Sequence, residues 1–72
     1  MSISKHFGAT VRITRKTLNM TQEELADTAG INRSHMGQIE RGKKNANIET
    51  IARIAKALHC SAGQLLDYTE SD

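Results

Sequence analysis

The sequence has no proline and no tryptophan, a single cysteine, and only two aromatic residues, Phe7 and Tyr68. Each shortage excludes something. Without proline, no helix is broken from within. One cysteine, Cys60, permits neither an intrachain disulfide framework nor a paired-cysteine zinc site, and it fits a reducing cytoplasm. Two rings are too few for a platform that stacks single-stranded nucleic acid. The opening residues Met1-Ser2-Ile3-Ser4-Lys5 form no apolar leader core, and no apolar run approaches the ~18 residues of a membrane span. The expectation is a cytoplasmic protein, neither secreted nor membrane-bound.

What is present points to one small globular domain over residues 1–72. A hydrophobic share of 38% with 25% charged residues is too apolar for a disordered chain. A chain this short buries only about 60% of its unfolded surface, so its core is thin and a second subunit would help it. The net charge is only +2, but it is unevenly spread. Residues 1–20 carry Lys5, Arg12, Arg15 and Lys16 with no acid, and residues 33–44 carry Arg33, Arg41, Lys43 and Lys44 against Glu40 alone. Acids dominate residues 21–32 (Glu23, Glu24, Asp27) and the last dozen positions. Two basic blocks are ordinary solvated faces unless the fold joins them.

Periodicity and capping signals predict five short helices and no strand. Phe7, Val11 and Leu18, with Thr14 between, form the stripe of a first helix over about 5–18, ended by Asn19. Thr21-Gln22-Glu23-Glu24 is a capping box opening a second helix, whose inner face is Leu25, Ala26 and Ala29 and whose stop is Gly30. A third runs over about 33–41, capped by Asn32, stopped by Gly42, and packed through Met36 and Ile39. Asn47 caps a fourth, in which Ile48, Ile51, Ala52, Ile54, Ala55 and Leu58 cover most of the circumference; such a helix is expected at the centre. Ser61 and Gln64 form a second capping box before Leu65 and Leu66.

The second and third helices are joined only by Gly30-Ile31-Asn32, so they must cross steeply, with Ala26 and Ala29 allowing close approach at the corner. That is the geometry of a helix-turn-helix over about 21–42, whose second helix stands clear and can enter a DNA major groove. Here the sequence resembles the Cro/repressor (XRE) type of helix-turn-helix protein. The resemblance is carried by Thr21-Gln22-Glu23-Glu24-Leu25-Ala26, Gly30-Ile31, Met36 and Ile39-Glu40-Arg41-Gly42-Lys43, then by Ile48-Glu49-Thr50-Ile51 with Ile54, Ala55, Leu58, Ser61, Leu65 and Leu66. Asn32-Arg33-Ser34-His35 is similar to the recognition segment of restriction–modification controller proteins.

The resemblance implies an all-α, five-helix, lambda-repressor-like domain that binds double-stranded operator DNA as a homodimer. It implies base reading by Arg33, Ser34, His35 and Gln38, with Arg33 suited to guanine and Gln38 to adenine. Phosphate contacts fall to Gln22, Asn32, Arg41, Lys43, Lys44 and Asn45. It also implies a structural ion pair between Arg15 and Glu40. Dimerisation is assigned to the fourth and fifth helices and tail over 47–72, with Leu65, Leu66 and Tyr68 as candidates. RNA polymerase stands as a further candidate partner. Two positions depart from the pattern: His35 stands where related controllers carry tyrosine, and Gly37 lies within the recognition helix at a cost of about 1 kcal/mol. Gly37 either lets the backbone approach DNA closely or only loosens the helix.

Other classes fare worse. There is no glycine-rich phosphate loop, no evident pair of catalytic carboxylates, and too little chain to enclose a substrate, so no enzyme, cofactor or small-molecule ligand is expected. His6, His35, His59 and Cys60 have no recognised metal spacing. The alternatives are an antitoxin-like or adaptor module that binds protein, and a repressor of a phage or mobile element. RNA is disfavoured by the missing aromatics.

Overall fold

A computed structural model describes residues 2–67. Within them lie five helices: α1 (Ile3–Thr17), α2 (Gln22–Ala29), α3 (Arg33–Glu40), α4 (Ile48–Ala57) and α5 (Ala62–Leu66). No helix among the described residues is long and apolar enough to cross a membrane. Every helix starts on a side-chain cap that satisfies amides with no partner in the first turn. The Thr21 hydroxyl accepts from the Glu24 amide at 3.0 Å, while the Thr21 amide donates to the Glu24 carboxylate at 2.8 Å. Ser61 and Gln64 repeat this box on α5, and Asn32 and Asn47 cap α3 and α4. The Thr21 backbone and hydroxyl bonds hold the Glu24 carboxyl below its ordinary range.

α1 packs on α3 and α5, α2 packs on α3 and α4, and α4 packs on α5. The core they enclose centres on Val11, Leu25, Met36, Ile39, Ile54 and Leu65. Each large apolar side chain buried there contributes about 1.5–3 kcal/mol. Gly30 takes φ 70°, a left-handed conformation without penalty for glycine, and so turns the chain from α2 into α3 within three residues. Gly8 serves differently. A Cβ there would lie 2.7 Å from the Glu40 carbonyl oxygen and closer still to that of Ile39. The bare backbone lets α1 cross directly over the end of α3.

Two sequence expectations need correction. Leu18 is not in the core of α1 but 42% exposed; the buried stripe is Phe7, Val11 and Arg15, each one helical turn from the next. Leu18 is the C-cap residue beyond the last turn of α1, so the buried stripe ends at Arg15, which is paired with Glu40. α4 is not central either. It buries Ile54, Ala55 and Ala57 with Leu58 at its end, whereas Ile48 is 86% exposed, Ala52 is exposed and Ile51 is half-buried. The outer apolar stripe of α4 is left uncovered.

Candidate nucleic-acid interface

The site begins with what holds α3 in place. Arg15 on α1 forms a two-pronged bond to Glu40, Nε to Oε2 at 2.8 Å and Nη2 to Oε1 at 3.0 Å, and its Nη1 donates to the Met20 carbonyl at 2.9 Å. Both side chains are nearly buried, at 10% and 2% exposure. The expected structural ion pair is therefore present, and it has a third member: Gln22 Nε2 donates to Glu40 Oε1 at 3.3 Å. One carboxylate thus gathers α1, the first turn of α2 and the end of α3. Gln22 was expected only as a phosphate contact. Its second role was missed, although its place directly after a capping threonine at a helix crossing was the available signal.

With Met36, Ile39 and Glu40 buried, the opposite side of α3 faces out. Arg33, Ser34 and Arg41 are exposed there, and His35 and Gln38 are half-buried. Gln22, Asn32, Arg33, Ser34, Gly37 and Arg41 line one open polar groove of about 490 Å³. A second groove, of about 620 Å³, shares Gln22 and Arg41 with it and continues to Arg12, Arg15, Lys16 and Glu40. The fold therefore brings parts of the two basic blocks together: Arg12 and Lys16 from α1 and Arg33 and Arg41 from α3 and its cap border two adjoining grooves. Arg33 is held only loosely in it, 3.5 Å from Glu23, with both side chains about two-thirds exposed.

Not every assigned residue belongs to this cluster. His35 and Gln38 line neither groove. Lys43 and Lys44 are exposed beyond Gly42, where the Lys43 amide closes α3 by donating to the Gln38 carbonyl at 2.9 Å. Lys44 and Asn45 border a different, more apolar hollow with Ile3, Ser4, Phe7, Ala46, Ile51 and Leu66. Two of the assigned phosphate ligands already spend an oxygen within the fold. Asn32 Oδ1 accepts from the amides of Ser34 and His35, and Asn45 Oδ1 accepts from the Ser4 hydroxyl. Their amide NH₂ groups remain the donors suited to a phosphate.

The dimer candidates also divide. Leu65 is 1% exposed and packed into the core of its own chain, so it has no surface to give a partner. Leu66 is half-buried at the edge of the apolar hollow. Tyr68 lies outside the described residues. Burial pushes the Cys60 thiol above its ordinary range, consistent with a small packed residue rather than a reactive one. Among the described residues no group of three or more His, Cys, Asp or Glu could hold a metal ion.

The chain matches the helix-turn-helix family over residues 11–65. It is 36% identical over 66 residues to control protein C.SmaI of Serratia marcescens, covering 92% of this chain and 79% of that one. The fold superposes with a TM-score of 0.82 on the restriction–modification controller protein C.AhdI of Aeromonas hydrophila, at 35% identity, covering 88% of this chain and 94% of that one. It also superposes at 0.78 on the P22 c2 repressor, solved in complex with a synthetic operator, at 33% identity over 83% of this chain and 91% of the repressor.

Proposed function

Because the chain belongs to the helix-turn-helix family of transcriptional regulators, we propose that it reads a specific double-stranded DNA operator as a homodimer and controls a restriction–modification system. The observation that carries this reading is the pair of adjoining grooves. Arg12, Lys16, Arg33 and Arg41 border the adjoining pair, and Arg33, Ser34 and Gly37 of α3 line its first part. In this reading α3 enters the major groove, where Arg33 can grip guanine O6 and N7 and Ser34, His35 and Gln38 meet neighbouring base edges. Gln22, Asn32 and Arg41 engage the phosphates on one side of α3, and Lys43, Lys44 and Asn45 engage them beyond its end. In this reading the regulator works in the cytoplasm, by binding DNA rather than by chemistry.

The partner for dimerisation is a second copy, met through α4 and α5. Support comes from Ile48, left almost fully exposed, with Ile51 and Leu66 half-buried beside the hollow at the α1–α4 edge. Two-fold symmetry then demands a pseudo-palindromic operator with half-sites about 34 Å apart. The test is selection of bound duplexes from a random library at near-physiological salt. Recovery of a two-fold symmetric motif supports the reading. Enrichment of nothing beyond general duplex affinity overturns it in favour of a protein-binding module.

A further inference from the structure

Gly37 is buried although its neighbours on the outer side of α3, Arg33, Ser34 and Arg41, are exposed. What covers it is the protein itself. A Cβ at this position would lie 3.2 Å from Arg41 Nη1, 3.7 Å from Arg41 Nη2 and 3.3 Å from Gln22 Oε1. The Arg41 side chain is therefore turned back by one helical turn, and its guanidinium lies over the bare backbone of residue 37 beside the Gln22 carboxamide. That carboxamide is fixed in turn by its bond to Glu40. The place where Arg41 comes to rest is the junction of the two grooves, since Gln22 and Arg41 line both.

We propose that Gly37 is a positioning residue for DNA binding: its missing side chain is the seat that holds the Arg41 guanidinium ready for a backbone phosphate. The inference rests on the DNA-reading function above and deepens it. A free arginine at a helix end samples many rotamers and loses that freedom on binding, whereas one already seated loses less. Glycine inside a helix weakens it, so the position needs a compensating use. The space over Gly37 is tight but not closed. At 3.2–3.3 Å any Cβ crowds two side-chain ends, and these are flexible, so it is Arg41 and Gln22 that yield rather than the helix backbone. A Cβ thus leaves the fold intact and pushes the guanidinium a few tenths of an ångström off its seat.

The test compares the wild-type chain with Gly37→Ala, Arg41→Ala and the double variant, on the selected duplex, across a range of salt. Gly37→Ala is expected to melt no lower than wild type, because alanine favours the helix. It is expected to bind about three- to tenfold more weakly on specific and unrelated duplexes alike, with a salt slope shallower by up to about 0.9. In the Arg41→Ala background the same change should add nothing, since the residue acts through Arg41. Wild-type affinity and slope in Gly37→Ala would overturn the proposal. So would an undiminished loss in the Arg41→Ala background, which would mean that the Cβ obstructs DNA directly. A marked fall in melting temperature would overturn it too, because the backbone and not Arg41 would then be yielding. If the wild-type chain binds no duplex, the DNA-reading function fails first, and that failure is visible before any variant is made.

Discussion

At the scale of single residues, the molecule separates charges that hold it together from charges it presents. Arg15 and Glu40 belong to the first kind, nearly buried and doubly bonded. Removing one partner leaves the other desolvated and unpaired, so Glu40→Ala should cost about 3–5 kcal/mol in urea unfolding. The double variant Arg15→Met/Glu40→Leu should recover most of that loss, because it leaves no stranded charge. Arg33 and Lys43 belong to the second kind, and here the expected results differ in type. Arg33→Ala should cost about 1–3 kcal/mol of operator affinity and relax discrimination at one base pair, while Lys43→Ala should weaken all sequences alike. A uniform loss for Arg33→Ala in a competition assay would remove it from the base-reading set. Its weak tie to exposed Glu23 does not oppose DNA, since an exposed pair of that length contributes about 0–1 kcal/mol.

At the scale of helices, the starts of α2 to α5 were legible in the sequence, whereas the Ser2 cap of α1 and the outer faces were not. Thr21 with Glu24, Asn32, Asn47 and Ser61 with Gln64 each bond within three residues of themselves, so a linear reading finds them. Whether a stripe is covered depends on distant chain. Ile48 and Ala52 are left exposed while Ile54 is buried, and no spacing on α4 distinguishes them. On the five-residue α5, one turn is too short for periodicity to separate core Leu65 from half-exposed Leu66. Gly8 shows the same limit: its use is a contact with residues 39 and 40, invisible from its own neighbours.

The local devices make their own predictions. Glu24 is held ionised by Thr21, so its folded-state pKa lies below the unfolded value of about 4.3. It therefore adds stability above that pH and loses it as acid drives the pH down through the lowered value. Glu24→Gln, which keeps a capping side chain but not the charge, should flatten this part of the acid-unfolding curve and lower stability at neutral pH toward the acid level. Past the C-terminal end of α4, His59 takes φ 57°, where a side chain is strained, and its amide donates to the Lys56 carbonyl at 3.1 Å while that of Cys60 donates to the Ala55 carbonyl at 3.0 Å. This is a helix stop that glycine fills more easily. His59→Gly should raise stability by about 0.5–1 kcal/mol, read as a higher melting temperature, because exposed His59 has little packing to lose.

At the scale of the whole molecule, the question is what a 72-residue chain does with an uncovered apolar stripe. Its core is thin, and α4 leaves Ile48 in water while Ile51 and Leu66 are only half covered. A second copy would bury all three and, by symmetry, set two α3 helices to read one operator. The two adjacent leucines of α5 then become the decisive pair. Leu65 is spent inside its own chain, so Leu65→Ala should cost about 2–5 kcal/mol of folding stability. In the proposed dimer, Ile48→Glu and Leu66→Glu act instead at the contact between copies. Each should leave the far-ultraviolet helical signal intact at low concentration while shifting sedimentation toward monomer. Operator affinity should fall steeply in the same variants, because two half-sites are gripped together only by a linked pair of recognition helices. Full-strength operator binding by a monomeric Ile48→Glu or Leu66→Glu chain would refute the α4–α5 pairing, and the apolar stripe would then need a different occupant.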